Sequence, residues 1–226
     1  MATFVEQVEA LTSLDIDGTS SPNETELTQF LKDGVLDVTK KCIKMNPVEA
    51  SSFQDITAEQ TSQGANLNGA EILTVLRESG TDNDFRPCRR ISPDLQSRVT
   101  DIDSIYYASA FNPVYAILED GKINVYPEPN VNQNAYKVYY VNNSPQNASG
   151  TALDYSHSDL KAFPDDKVYL VVVYAAIKSI EHKIGTFAVE EEDSELVQAF
   201  ALNLRTLQEQ YANEFTPMRQ RQSEEE

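Results

Sequence analysis

SIYYASAFNPVYAILEDGKINVYPEPNVNQNAYKVYYV, residues 104–141, holds seven of the eleven tyrosines in a chain of 226 residues. Pro113–Leu118 reads as a short strand. Glu119-Asp120-Gly121-Lys122 then reads as a hairpin turn, because Asp-Gly accepts the positive φ of a type I′ turn. Ile123–Tyr126 returns. After the proline- and asparagine-rich break, Ala135–Val141 forms a third strand. Alternation there puts Tyr136, Val138 and Tyr140 on one face and Lys137, Tyr139 and Val141 on the other. Three short strands need a packed face to be stable, and the tyrosines supply one. The segment therefore predicts a small antiparallel β-meander.

Upstream, Ala70–Ser79 reads as a strand. Gly80–Asn83 reads as a turn, and Phe85–Ile91 as an antiparallel return. The flanks are helical. Phe4, Val5, Val8 and Leu11 sit at helical spacing, so residues 2–13 predict a short helix. Ser21-Pro22-Asn23-Glu24 predicts a second helix start, with Ser21 as cap and Pro22 at the first helical position. Leu27, Phe30, Leu31, Val35, Val38 and Cys42 mark its apolar face, and Asn46-Pro47 ends it. Pro164-Asp165-Asp166 opens a further helix whose stripe is Val173, Ile177, Ile180 and Ile184, with Gly185 as its cap. Leu196, Phe200, Leu204, Leu207 and Tyr211 form the stripe of the last helix, which Thr216-Pro217 is expected to end.

These readings give an α+β fold: an antiparallel helical bundle with an inserted antiparallel β-meander. The expected organisation is a discontinuous helical body over 1–66 and 160–216, an inserted β subdomain over 67–150, and a polar tail over 217–226. The longest apolar run, Val168–Ile177, is half the length of a membrane-spanning helix, so no membrane partner is expected.

Acidic residues outnumber basic ones 36 to 18, for a net charge of −18. Such a field repels nucleic acid phosphates and anionic lipid. It excludes a nucleic-acid-gripping protein of the usual kind and leaves a wall that DNA slides past. Two cysteines, Cys42 and Cys88, without CxxC spacing, argue against a zinc site.

Two motifs point to other chemistry. Asp15-Ile16-Asp17-Gly18-Thr19 matches the DxDGT signature of a phosphatase, in which the first Asp is the nucleophile and the second an acid/base. That chemistry needs a strand before the motif and a βαβ series after it, and neither is read here. Ser13–Glu24 nearly satisfies a calcium loop of the EF-hand type, with Asp15, Asp17, Gly18 and Glu24 in place. Ser13 stands where its first carboxylate belongs, and no second loop follows. His157 and His182 have no neighbours at metal-ligand spacing. No catalytic set and no cofactor are expected. Arg86, Arg89 and Arg90 form the one basic cluster, which solvent or the acidic surface of a neighbouring copy would satisfy.

Three stretches carry a family resemblance. ETELTQFLKDGVLDVTKK (24–41) resembles the first long helix of the head-to-tail adaptor (connector or neck) proteins of tailed bacteriophages, with a small residue, Gly34, near its middle. SIYYASAFNPVYAILEDGKINVYP (104–127) is similar to the β-meander inserted in such proteins, and DDKVYLVVVYAAIKSIEHKIG (165–185) to their return helix. The resemblance implies a non-enzymatic virion protein at the head-to-tail junction. Such proteins form a ring, usually of twelve copies, that joins the portal protein to the tail or neck and lets DNA through its lumen without specific binding. It further implies that the C-terminal tail docks on the portal, with Pro217, Met218, Arg219 and Arg221 as anchors. Tyr136, Tyr139, Tyr140, Arg89 and Arg90 are the expected contacts between copies. Copies of like charge repel, so salt is expected to help assembly.

Overall fold

The last helix runs straight through the proline expected to stop it. The computed structural model describes residues 2–81, 83–130, 133–190 and 194–224. In chain order its elements are α1 (Phe4–Thr12), α2 (Glu24–Met45), β1 (Gln54–Ile56), β2 (Ala65–Asn66), β3 (Glu71–Glu78), β4 (Phe85–Pro87), β5 (Arg89–Arg90), α3 (Gln96–Val99), β6 (Val114–Ile117), β7 (Lys122–Tyr126), β8 (Tyr136–Val141), α4 (Val168–Glu190) and α5 (Ser194–Glu224). The fold is α+β. The chain divides into a discontinuous helical unit, Met1–Phe53 with Ser144–Glu226, and an inserted unit, Gln54–Asn143. The insertion thus begins thirteen residues before the expected 67 and ends at 143 rather than 150.

In the helical unit, α4 packs against α1, α2 and α5. That explains its composition. Val171, Val172, Val173, Ala175, Ala176, Ser179 and Ile180 are all buried, over about half of the helix circumference, and Tyr174, Lys178 and Glu181 line the partly exposed side. A helix with so wide an apolar face is one packed against several others. Gly34 on α2 permits the closest approach: a Cβ there would lie 3.0 Å from Tyr174 Cδ1 and 3.3 Å from the Val171 carbonyl oxygen.

Three helix ends differ from expectation. The cap of α2 is Asn23, not Ser21. Asn23 Oδ1 accepts from the Thr25 and Glu26 amides at 2.9 and 3.0 Å, and the Asn23 amide donates to Glu26 Oε2 at 2.8 Å. Asn caps as well as Ser; both Ser21 and Asn23 have a glutamate three residues on, Glu24 and Glu26, and the box closes at Asn23 with Glu26. Helix α4 passes through Gly185 to Glu190. The glycine costs about 1 kcal/mol relative to alanine in a helix interior. Continuing the helix buries Phe187 and sets its ring 6.0 Å from Phe200, which offsets that cost. Helix α5 continues past Pro217 to Glu224. The proline removes one backbone donor. Phe215 packs edge-on against Tyr211 at 5.2 Å just before it, and the residues after it are mostly good helix formers. The expected polar tail is therefore helical as far as Glu224, and Glu225 and Glu226 lie outside the described residues.

The inserted unit is a pair of four-stranded sheets, not a single meander. One has the order β1-β8-β3-β4 and is antiparallel throughout; the other has the order β2-β7-β6-β5. The β6–β7 hairpin forms as expected, with Asp120 and Gly121 at φ 61° and 73° in its turn. The third strand does not pair with it. Instead β8 lies between β1 and β3. Pro127 and Pro129 separate β7 from β8, and proline cannot donate to a continuing ladder. The chain crosses to the other sheet at that break. Val75, Tyr136 and Val138 then pack on Tyr115, Ile123 and Val125 across the interior, with Tyr140 packed at the edge of the cluster. The predicted alternation of β8 thus sets the core face. Tyr136 is completely buried, and its hydroxyl accepts from the Ala65 amide at 3.3 Å.

Two buried charged residues brace the ends of these strands. Arg77 Nε donates to the Pro127 carbonyl at 2.8 Å. Glu78 accepts from the Asn83 and Ala135 amides, each at 3.1 Å. Both side chains hold turn backbone in place, and Glu78 satisfies the buried Ala135 amide, which would otherwise lack a partner.

Candidate functional site

A second, smaller cluster of the inserted unit consists of Val99, Ala108, Val114 and Tyr126, with Ile91 packed on it. It anchors the loop between α3 and β6. The Ala108 amide donates to the Val99 carbonyl at 2.9 Å, and the Tyr126 hydroxyl donates to Gln96 Oε1 at 3.0 Å. Within the loop, Asp101 Oδ1 accepts from the Asp103 amide at 3.1 Å, and Ser104 Oγ from the Tyr106 amide at 3.1 Å. Asp and Ser form such local turns readily.

With its backbone satisfied and Ala108 turned inward, the loop holds its large apolar residues outward. Ile105 is 93% exposed, Ile102 75% and Phe111 73%; Tyr106 and Tyr107 are also exposed. Scattered exposed apolar residues are ordinary, but a run of five on one pinned loop is not.

Arginines flank this loop. Parallel pairing of β5 with β6 sets Arg89 beside the loop's end, where its amide donates to the Pro113 carbonyl at 3.0 Å. The Arg86 guanidinium lies 5.9 Å from the Phe111 ring, and that of Arg98 lies 6.0 Å from the Tyr106 ring. Arg86 also pairs with Asp84 at 3.0 Å. Arg89, Arg90 and Arg98 are exposed, and among the described residues no carboxylate lies within ion-pair distance of them. Aromatic residues with arginine are the composition of protein-binding hot spots.

The expected contact residues are therefore regrouped. Arg89 and Arg90 are at the surface. Tyr136 is wholly buried and offers nothing to a neighbouring chain; the expectation is corrected there, because this residue sits mid-strand on the face between the sheets. Tyr139 and Tyr140 are half-buried in the other sheet from the arginines. The exposed tyrosines of the inserted unit are Tyr106 and Tyr107. A signal for them was present: five large apolar residues without helix or strand period, among Asp101, Asp103 and Ser104. Pro217, Met218, Arg219 and Arg221 fall on the last turns of α5.

The acidic loop after α1 is occupied by its own turn. Asp17 Oδ1 accepts from the Thr19 amide at 2.6 Å, the Thr19 hydroxyl at 2.9 Å and the Ser20 amide at 2.7 Å. These bonds, the Thr19 amide first, hold its pKa below the usual carboxylate value. Glu24 accepts the Tyr155 hydroxyl and raises the pKa of that phenol. Asp15 follows a helix, not the strand that a DxDGT nucleophile requires. Among the described residues no cluster of three or more His, Cys, Asp or Glu side chains is placed to hold a metal ion. His157 Nδ1 accepts from the Asp154 amide at 3.1 Å, and His182 lies 3.6 Å from Glu26. No described helix is long and apolar enough to cross a membrane. No protein-family model matches the chain, and no curated protein shows significant similarity to it.

Proposed function

We propose that the chain is a structural, non-catalytic virion protein: a head-to-tail adaptor that assembles as a ring, of twelve copies on the family pattern, between the portal protein and the tail or neck. The observation that carries this reading is the order of parts. A long helix with a glycine at its closest crossing leads into an inserted β unit. A buried return helix and a final surface helix follow. That order matches the three stretches on which the resemblance rests. The charge of −18 supports it too, since an acidic lumen lets DNA pass without adhering. DNA is then a passenger and not a ligand. The last turns of α5, with Pro217, Met218, Arg219 and Arg221, serve as the portal anchor. Immunogold labelling of purified virions tests the assignment. Label confined to the head-to-tail vertex is the expected result; label along the capsid surface, or none, would overturn it.

A further inference from the structure

Asn68-Gly69 is the chain's only Asn-Gly pair, and it forms the link by which the chain leaves one sheet of the inserted unit for the other, from β2 to β3. Both residues have positive φ, 52° and 78°, and the Ala70 amide closes the turn on the Leu67 carbonyl at 3.0 Å. Asparagine and glycine are the residues that such a turn selects. Both are exposed, and a Cβ placed on Gly69 would meet nothing within 4 Å. Among the described residues, none bonds the Asn68 carboxamide or the Gly69 amide. An electrophilic side-chain carbon and the main-chain nitrogen next to it are thus both free and open to water. Other asparagines differ on each count. Asn66 Oδ1 accepts from the Asn68 amide at 2.8 Å, and Asn147 Oδ1 from the Thr151 amide at 2.9 Å. Each is followed by a residue whose side chain crowds the main-chain nitrogen, whereas glycine has no Cβ to do so.

We propose that Asn68 is a site of spontaneous deamidation in the folded chain, and that Asn143 sets its pace. Asparagine is among the thermolabile side chains. The Gly69 nitrogen gives up its proton to hydroxide and bonds to Asn68 Cγ. The Cγ–Nδ2 bond breaks, and the nitrogen takes a proton from water and leaves as ammonia. A succinimide ring remains. Water then adds to one of its two carbonyls. Opening on one side gives aspartate; opening on the other gives isoaspartate, whose main chain runs through Cγ. No oxidant or reductant takes part. Attack requires Asn68 to rotate about its backbone until the Gly69 nitrogen meets Cγ. Two bonds resist that rotation: the turn bond from Ala70 to Leu67, and Asn143 Nδ2 donating to the Asn68 carbonyl at 2.8 Å. Both lie at the surface, where a turn opens at low cost. Each converted copy gains one negative charge. In the isoaspartyl form the link between the two sheets is one main-chain atom longer. The change belongs to the chain itself and holds with or without the ring reading.

Incubation of the full chain at mildly alkaline pH, with anion exchange and tandem mass spectrometry of its peptides, tests the proposal. Asn68 is expected to convert before every other asparagine, to aspartate and isoaspartate together, while circular dichroism stays native. Asn68→Gln should remove the early acidic form. Asn143→Ala, which deletes the tether and keeps the Asn-Gly pair, should quicken conversion by about two- to fivefold, the worth of one surface hydrogen bond. Another asparagine converting first, conversion of Asn68 only in urea, or an unaltered rate in Asn143→Ala would overturn the proposal.

Discussion

The Tyr211 hydroxyl donates to Asp37 Oδ2 at 2.6 Å, tying α5 to α2. Lys41 reaches the same carboxylate oxygen at 2.6 Å, and its ammonium lies 4.6 Å from the centre of the Tyr211 ring. Burial, and then this hydrogen bond, push the Tyr211 pKa well above the ordinary phenol value. Removing the hydroxyl in Tyr211→Phe leaves the ring packing and deletes one bond to a charged acceptor. The expected loss is roughly 1.5–3 kcal/mol, read as a lower midpoint in thermal unfolding followed by circular dichroism at 222 nm (far-ultraviolet helix signal).

Gly34 tests the closeness of α2 and α4. In Gly34→Ala, a gain of about 1 kcal/mol in helix propensity opposes a methyl group pressed toward Tyr174 and the Val171 backbone. Near-neutral stability is expected. In Gly34→Leu nothing compensates for overpacking, and a loss of about 1–3 kcal/mol follows. Urea unfolding of the two variants side by side checks the contrast.

Glu78 is the corresponding test in the inserted unit. Glu78→Ala strands the buried Ala135 amide, at a cost of roughly 1–3 kcal/mol, and leaves the amide of the exposed Asn83 to solvent. The chain has no tryptophan, and most of its tyrosines lie in this unit. Tyrosine fluorescence in urea therefore reports the loss directly.

The two thiols predict alkaline lability. Burial pushes Cys42 from an ordinary value of 9.0 to about 11 and Cys88 to about 12. Each folded pKa is raised, so above pH 9 the unfolded chain loses protons that the folded chain keeps. Their contribution to stability is full below about pH 9 and is lost as pH rises through about 11 to 12. The melting temperature should fall across that window, and less steeply in Cys42→Ala/Cys88→Ala. Neither thiol of the native protein should react readily with a thiol-exchange reagent at pH 8; both should in urea.

Removing residues 217–226 tests the anchor. Among the described side chains of α5, the buried ones, Leu207, Tyr211 and Phe215, precede the cut. The truncated chain should keep its circular dichroism and lose portal binding. Unchanged binding would place the anchor elsewhere.

The helical unit was largely legible in the sequence because helix contacts repeat locally. Of the stripe read as Leu27, Phe30, Leu31, Val35, Val38 and Cys42, all are buried except Phe30, which is half-buried. The faces of β8 and the Asp120-Gly121 turn were legible for the same reason: both depend on neighbours in sequence. The partner of β8 was not. Its ladder to β3 joins residues some 60 apart, such as Val75 and Val138, and no local pattern encodes that choice. Strands β1 and β2, of three and two residues, are too short to show a period and exist through their partners. The binding surface was half legible. The arginines stood out by charge, but Ile105 and Phe111 break the rule that large apolar residues go inside, so their exposure emerged only with the fold.

The adaptor assignment is tested most directly by native mass spectrometry of the chain mixed with the portal ring of the same virion. Portal carrying a full complement of 25.3 kDa subunits, twelve on the family pattern, is the expected result. Portal that stays bare while the 25.3 kDa chain remains free would contradict it.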